Sequence, residues 1–271
     1  MDALPAIFVS HGSPMLAITP TPARAFLAGL GTALPKPRAI LVVSAHWETV
    51  TPMVNAVARN ATIHDFGGFP RALFEIEYPA PGDPALAARV ADLLTAAGFA
   101  TGIDPVRGLD HGAWVPVMLA YPMADVPVLQ LSVQTMLGPE HAFAVGRALA
   151  PLRDEGVLVL GSGNFTHDLR RFRGQAVDAP EAGDVTAFSA WMDDAIARAD
   201  IAALLDYRSL APHAHDEHPT EEHLLPLFTA MGAAGPDIEA HRLHRSTEHA
   251  ILRMDAYAFD RVSDRPAAVH D

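Results

Sequence analysis

The sequence predicts a single α/β domain with three layers, α/β/α, around a mostly parallel, mixed central sheet. Near-continuous apolar runs rich in β-branched residues span 40–43, 126–133 and 157–160, as is typical of strands covered on both faces. Helical segments alternate with these runs, an order that places helices on both sides of a sheet. The 271 residues are enough for one large core and few for two domains. We therefore expect one domain over residues 1–262 and a polar tail over 263–271.

Six strands are expected, and most of them are continuous apolar runs. The last one differs, because apolar and polar residues alternate from Leu252 to Ala258 with a period of two. Such alternation is typical of an edge strand with one wetter face. In chain order, the predicted strands are Ala6–Ser10, Ala39–Ser44, Met53–Ala58, Val126–Val133, Val157–Gly161 and Ala250–Phe259.

Six helices are expected between and after the strands. In the second of them, Leu86, Val90 and Leu93 recur at helical spacing and form one apolar face. Two long irregular stretches, 60–82 and 208–219, contain several prolines, and loops of this length in a compact domain are usually functional or mobile. The predicted helices are Thr21–Leu30, Pro84–Ala97, Ala113–Ala120, Pro139–Arg153, Val185–Tyr207 with a break near Asp200, and Thr220–Met231.

Composition narrows the class of function. The net charge of −13 argues against nucleic acid and anionic membranes as partners. No apolar run approaches the length of a membrane span, and the first residues lack the basic region of a secretory signal, so we expect a cytoplasmic protein. Cysteine is absent, which excludes disulfides and thiolate ligands. A metal ion in this chain must therefore be held by carboxylates and by some of its 14 histidines.

Four histidines occupy positions that favour convergence. His11 and His46 directly follow predicted strands, and His167 lies in the loop after a third. In open α/β sheets, ligands bind at the carboxyl ends of the strands. His223 falls in the first turn of the last predicted helix, with Thr220 as its N-cap. Each alone could be an ordinary loop histidine; together they predict a site for one divalent metal ion.

Other histidines have two readings each. His111 follows Asp110, a predicted helix cap, and is either a loop residue or a hydrogen-bond donor to a ligand. His64 lies beside Phe66 in the first long loop and could line a pocket or simply bind Asp65. A third group lies among acidic residues and indicates a solvated loop: His213, His215 and His218.

Several segments together resemble a known family. In order, they are FVSHGSP (8–14), VVSAHW (42–47), TIHDFGGFP (62–70), YPAPGDP (78–84), LDHGAW (109–114), SGNFTHDL (162–169) and PTEEHLLPL (219–227). These motifs are similar to those of the DOPA-dioxygenase-type extradiol ring-cleaving enzymes, which belong to the class III superfamily. The similarity runs from about residue 5 to residue 260, so the resemblance implies a single catalytic domain.

The resemblance implies the metal ligands. His11 and His46 are the first two, and the third is either His223 or its neighbour Glu222. His167 is implied as a fourth ligand or as the acid–base group. The metal is one divalent ion, Zn²⁺ or non-haem Fe²⁺.

The resemblance also implies a reaction and the residues that meet the substrate. The reaction is cleavage of a catechol ring, DOPA-like or other, with O₂ to give a muconic semialdehyde. His111 is implied to contact substrate or oxygen, and we expect His64, Phe66 and Trp114 to line the substrate pocket, with Phe69 beside them. The partners are a small aromatic diol and O₂, and the chain is expected to be a monomer or a small homo-oligomer.

Two rival interpretations remain open from the sequence. One is a zinc-dependent hydrolase in which Glu222 acts as general base on a bound water. The other is a zinc-binding protein without turnover, in which four histidines close a structural site.

Overall fold

A computed structural model describes residues 3–262, so the predicted polar tail at 263–271 lies outside the described residues. The chain forms an eight-stranded mixed sheet with helices packed on both faces. The predicted three-layer α/β class is confirmed.

The sheet has a parallel centre and antiparallel flanks. Its strand order is β4-β3-β5-β2-β6-β1-β10-β7, and β5, β2, β6 and β1 run parallel. A separate hairpin joins β8 and β9. The strands are β1 (Ala6–Ser10), β2 (Ala39–Glu48), β3 (Met53–Asn55), β4 (Gly102–Asp104), β5 (Val128–Val133), β6 (Val157–Gly163), β7 (Ile238–His244), β8 (Thr247–Glu248), β9 (Leu252–Arg253) and β10 (Ala256–Arg261).

Three of the longer helices begin at a side-chain cap that the sequence offers. The side chains of Thr21, Asp83 and Asp110 each accept a hydrogen bond from the first turn of the helix that follows. The helices are α1 (Pro22–Ala33), α2 (Arg71–Phe74), α3 (Pro84–Ala96), α4 (His111–Ala120), α5 (Gly138–Leu149), α6 (Pro151–Asp154), α7 (Gly183–Ala197), α8 (Ile201–Leu205), α9 (Tyr207–Leu210), α10 (Ala214–Glu217) and α11 (Leu225–Ala233).

Each face of the sheet has its own hydrophobic core. Along β1, Phe8 packs on the side of α5, α7 and α11, whereas Ile7 and Val9 pack on the side of α1 and α4. The backbones of α5 and α11 lie so close together that a Cβ on Gly146 would be 2.1 Å from the carbonyl oxygen of Thr229. Both faces of the central strands are thus covered, which explains their continuous apolar runs.

The last predicted strand was expected at the edge of the sheet, and this prediction was wrong. Strand β10 lies between β1 and β7, and its first four residues are buried. The polar residues before it, Arg253 and Asp255, are buried as well because they pair with each other. The edge strand next to β10 is β7, which was not predicted from the sequence.

One helix prediction also needs correction. The last helix begins at Leu225, because the hydroxyl of Thr220 donates to the carboxylate of Glu222 instead of capping a helix. His223 therefore lies in a turn just before α11. The break predicted near Asp200 is confirmed: α7 ends at Ala197, and Asp200 caps α8. Within residues 3–262, the structure has no helix of the length and apolarity needed to cross a membrane.

Candidate metal centre

Three adjacent parallel strands deliver histidines to one end of the sheet. His11 directly follows β1, and His167 lies four residues after the end of β6. His46 lies inside β2, beyond an irregularity in its pairing with β5 that falls between Val43 and Glu48. Irregularities of this kind re-aim side chains near functional sites. His223 reaches the same end from the turn before α11.

Ring nitrogens of three histidines converge. The Nε2 atoms of His11 and His46 are 3.0 Å apart, and those of His46 and His223 are 3.3 Å apart. The close fit depends on Gly112, where a Cβ would lie 2.9 Å from His46 and 3.2 Å from His11. These three side chains form one of three groups in the described chain whose ligand atoms all lie within 4.8 Å of one another.

The tautomers of two of these rings follow from their Nδ1 partners. His223 Nδ1 lies 3.0 Å from the Glu222 carboxylate, which can only accept, so Nδ1 carries the proton. His11 Nδ1 lies 3.0 Å from the Ser162 hydroxyl, and that hydroxyl donates its own proton to the carbonyl of Gly112. His11 Nδ1 therefore also donates. Both Nε2 atoms consequently present lone pairs toward His46.

This arrangement leaves a buried deficit of protons. A neutral imidazole has one N–H, so His46 can donate to only one of its two neighbours. Its own Nδ1 lies 3.7 Å from a carboxylate oxygen of Asp65, which favours a proton there instead. Lone pairs of three imidazoles then face one another in a buried place. A divalent cation with nitrogen ligands fits this donor set.

Burial keeps the same rings neutral. It is the main cause that lowers the pKa of His11 and of His223 well below the ordinary histidine value, and the neighbouring histidines add to it. Burial, followed by the charge of His111, lowers the pKa of His46 to about 3. Neutral imidazole is the form that binds metal ions.

His167 and Glu222 flank this group. The ring of His167 stacks on His223, with centroids 3.4 Å apart and planes at 13°. Burial lowers the pKa of His167 too. Ligand atoms of His167, Glu222 and His223 also lie within 4.8 Å of one another. Both sequence candidates for the third ligand, His223 and Glu222, are thus present at the centre.

His111 is held in place by the carboxylate of Asp65, which was not predicted to belong to the site. Its Nδ1 and backbone N–H lie 3.0 and 2.9 Å from the two oxygens of Asp65. Its ring centroid is 4.0 Å from that of His46. Burial raises the pKa of Asp65, but hydrogen bonds from His111 and its charge outweigh burial and lower it to about 2. Asp65 therefore links the 60–82 loop to the centre.

A cavity of about 510 Å³ lies over the histidines. Aromatic and aliphatic side chains form most of its wall, and five histidines, an asparagine and a serine give it polar groups. The residues that line it are Gly12, Ser13, Pro14, Met15, His46, Phe66, Gly67, Phe69, His111, Asn164, His167, Leu169, Phe172, His223, His249 and Leu252.

Of the predicted substrate contacts, Phe66 lines the cavity, but His64 and Trp114 are not among its lining residues. Trp114 is fully buried and donates from Nε1 to the carbonyl of Ile63 at 3.1 Å. His64 binds the carbonyl of Ile76 at 3.0 Å instead of Asp65. The ring centroids of His64 and Trp114 lie 5.7 and 6.5 Å from that of Phe66, so both rings pack against Phe66 from outside the cavity.

Other residues that line the cavity were not predicted from the sequence. Asn164 accepts a hydrogen bond from the backbone of Gly12, and its place in a strand exit could have revealed it. His249 and Phe172 come from loops, and no local pattern marks them. The predicted solvated histidine loop was partly wrong, because His218 is fully buried and binds the carbonyl of Phe165, whereas His215 is exposed.

The fold and the site define a class: a three-layer α/β protein with a histidine-rich candidate metal centre beneath an aromatic cavity. Residues 5–259 match the family described as the catalytic LigB subunit of aromatic ring-opening dioxygenase. The chain belongs to this family, and it is an extradiol ring-opening dioxygenase by class. Enzymes of the family use a metal, for which the histidine cluster is the candidate site.

Relatives with named activities match nearly the whole chain. The 4,5-DOPA dioxygenase extradiol of Beta vulgaris is 45% identical over 261 residues, covering 93% of this chain and 95% of that protein. The enzyme of the same name from Portulaca grandiflora is 44% identical, covering 94% and 95%. A crystal structure of an uncharacterized protein of Escherichia coli K12 superimposes with a TM-score of 0.78 at 32% identity, covering 94% of this chain and 99% of that one.

Proposed function

We propose that this enzyme holds one Fe²⁺ with His11, His46 and His223 and opens the ring of a catechol with O₂ to give a muconic semialdehyde. The observation that carries the proposal is the convergence of three Nε2 lone pairs at the floor of the cavity. Family membership supports this reading over the hydrolase and over a binding protein without turnover.

His223 is the better candidate for the third ligand. Its Nε2 faces the Nε2 of His46, whereas the Glu222 carboxylate lies on the far side of the ring and accepts from Nδ1. Carboxylates in that position orient a ligating histidine and raise its basicity. Glu222 is therefore proposed to orient His223 instead of binding the metal itself.

Fe²⁺ fits the reaction better than Zn²⁺ because ring opening by O₂ needs a metal that can exchange electrons. When held by His11, His46 and His223, Fe²⁺ would supply open coordination positions and redox chemistry, which Zn²⁺ lacks. Both atoms of O₂ enter the product, and no external reductant is consumed.

The cavity suits a small aromatic diol. Its wall offers the rings of Phe66, Phe69 and Phe172, and aromatic pairs gain energy beyond the area that they bury. Its volume of about 510 Å³ lies in the usual range for small-molecule sites. The names of the plant relatives support a DOPA-like catechol. We propose a single catalytic domain that acts as a monomer or a small homo-oligomer.

Two histidines are proposed to move protons. His167 lines the cavity beside His223, and we assign it the removal of a hydroxyl proton as the catechol binds. His111 lines the cavity with its Nδ1 fixed by Asp65, which leaves its Nε2 to contact oxygen or substrate. Nε2 of the neutral ring accepts a proton, and the imidazolium so formed, paired with Asp65, can stabilise negative charge that develops during the reaction.

The test is anaerobic reconstitution of metal-free protein with Fe²⁺, followed by aerobic assay on DOPA, protocatechuate and catechol. We expect O₂ uptake matched by a yellow ring-opened product, and neither with Zn²⁺. The His167→Ala variant should lose about 100-fold or more in kcat, as for removal of a general base. The control is His141→Ala, because His141 binds Gln134 away from the cavity. An iron-loaded protein that consumes no O₂ with any catechol would refute the proposal.

A further inference from the structure

Leu169, Phe172 and His249 form one part of the cavity wall, here called the outer wall. Among the described residues, this wall contains no cation. Lysine and arginine are absent from its lining, although three arginines lie in the segment that supplies Leu169 and Phe172. A carboxylate on a ring substituent would therefore meet no charged partner there. A charge that loses hydration without gaining a partner is disfavoured.

Each of those arginines is committed elsewhere. Arg170 binds the carboxylate of Asp168 through two nitrogens, at 2.8 and 3.1 Å. Arg171 binds both Asp184 and Glu217. Arg173 donates to backbone carbonyls of its own turn. The segment thus presents its apolar side chains to the cavity and turns its charges away.

His249 is the polar side chain on this wall. It lies outside the metal centre, next to Phe172, with ring centroids 5.1 Å apart at 81°. Its backbone N–H donates to the carbonyl of Val177 at 3.1 Å, and its Nδ1 lies 2.8 Å from the carbonyl of Gln175. One bond from the backbone and one from the ring hold His249 to the same segment, so little ordering is needed when a ligand binds.

The backbone at this position is unusual. His249 and Ala250 have φ of 54° and 65°, in the left-handed region that residues other than glycine adopt rarely. The surrounding hydrogen bonds hold this conformation: the carbonyl of Ala250 accepts from Ala182, and that of Ile251 accepts from Thr166. Strained backbone that its surroundings maintain is concentrated at ligand-binding positions.

The partner of Nδ1 determines what His249 can recognise. A carbonyl oxygen only accepts, so Nδ1 carries the proton of the neutral ring. The other nitrogen, Nε2, then carries a lone pair. His249 lines the cavity. Its Nε2 does not belong to the buried polar atoms without a partner in the described chain, as expected for a nitrogen that is open to a ligand. Such a nitrogen accepts a hydrogen bond from a ligand.

We propose that His249 determines specificity by accepting a hydrogen bond from the ring substituent of the substrate. This inference rests on the proposed function. The preferred substrates are catechols with a short side chain that ends in a donor, an ammonium or a hydroxyl group. Catechols whose side chain ends in a carboxylate, with no ammonium or hydroxyl donor beside it, are disfavoured, because the neutral ring offers them no donor and the wall offers no cation.

The experiment is calorimetric binding to the iron-loaded protein without O₂, using four matched ligands. These are 4-ethylcatechol, 4-(2-hydroxyethyl)catechol, 4-(2-aminoethyl)catechol and 3,4-dihydroxyphenylacetate. One net hydrogen bond predicts that the hydroxyl and ammonium ligands bind about 2- to 10-fold more tightly than 4-ethylcatechol. The carboxylate should bind no more tightly than 4-ethylcatechol.

Two variants assign the preference to His249. Asparagine tolerates a left-handed φ, and its shorter side chain does not reach the position of Nε2, so His249→Asn should remove the preference for the hydroxyl and ammonium ligands over 4-ethylcatechol. His249→Phe keeps a ring and should do the same. The control is Phe172→Leu, which should weaken all four substituted ligands to a similar extent.

The outcomes separate this inference from the proposed function. Tightest binding of the carboxylate, or a preference unchanged in both His249 variants, would overturn the inference while ring opening by the wild type still stood. Absence of ring opening by the wild type would refute the function, and the binding series would still report the preference of the cavity. Ring opening combined with the predicted binding order would support both.

Discussion

Two buried polar clusters lie in this molecule, and they differ in how their charges are balanced. Around Arg253, the guanidinium is 2% exposed and contacts the carboxylates of Asp255 and Glu181 at 2.7 and 2.6 Å. The cluster is satisfied from within. The histidine cluster has no such balance, because its three Nε2 atoms face one another and their Nδ1 protons point outward.

The difference teaches which cluster is structural and which is functional. Oppositely charged groups that satisfy one another need no ligand, and none of Arg253, Asp255 and Glu181 lines the cavity over the histidines. Groups that share one kind of lone pair need a cation, and here they lie under a cavity. Removing a member should therefore affect folding in the first cluster and metal binding in the second.

The largest effect is expected at His46, whose Nε2 lies closest to both other nitrogens. His46→Ala should weaken Fe²⁺ binding by more than about 100-fold, beyond the effect typical of a residue that only supports a ligand. Calorimetric titration of the metal-free protein measures this. Unfolding of the metal-free variant should be changed little. If the variant bound Fe²⁺ as tightly as the wild type, His46 would not be a ligand.

Arg253→Met should have the opposite profile. It leaves buried carboxylates without their cation, so the free energy of unfolding should fall by about 3 kcal/mol. Metal stoichiometry of the folded fraction should stay the same. The matched control is Arg198→Met, because Arg198 pairs with Asp194 on the exposed surface and should contribute less than about 1 kcal/mol. Equal losses in the two variants, measured by denaturant titration, would contradict the contrast.

A smaller effect is expected at Asp65, which positions His111. Asp65→Asn replaces one of the two acceptor oxygens with a donor, so His111 loses a partner for its Nδ1 or its backbone N–H. We expect kcat to fall about 10- to 100-fold, as for other groups that orient a site. Asp92→Asn, on the exposed surface of α3, is the control. An unchanged kcat with a raised KM would instead assign Asp65 to substrate binding.

The smallest effect concerns pH and His218. Burial lowers the pKa of this ring to about 4 from 6.5, so the folded state resists protonation and the unfolded state does not. Stability is therefore present above pH 6.5 and is lost as the pH falls toward 4, by about 2 kcal/mol between pH 7 and pH 5.

His218→Gln tests this, because its amide nitrogen can still donate to the carbonyl of Phe165 and does not titrate. The free energy of unfolding of this variant should fall less on acidification than that of the wild type. The exposed His215→Gln should follow the wild type. Parallel curves for wild type and His218→Gln would contradict the assignment.

The floor of the site could be predicted from the sequence, because strand ends are local features. Apolar runs that stop at His11 and near His46 mark the carboxyl edge of a parallel sheet. The loop residues of the site could not be predicted this way. Asp65 and His249 reach the site through loops, and their positions depend on hydrogen bonds to segments far along the chain.

The edge strand shows why pattern alone misleads. Alternation around Arg253 and Asp255 has the period of a half-exposed strand, but their mutual ion pair removes the need for water. The real edge, β7, has the polar sequence IEAHRLH and few apolar residues to mark it. Hydropathy reports a preference for water and does not reveal a buried partner.

The most direct test of the metal centre is an anomalous-scattering map from crystals of iron-loaded protein, collected at the iron absorption edge. We predict one peak in each chain, within bonding distance of the Nε2 atoms of His11, His46 and His223. Glu222 should remain on Nδ1 of His223, away from the peak. A peak bound by Glu222 in place of His223, or no peak among these histidines, would contradict the account.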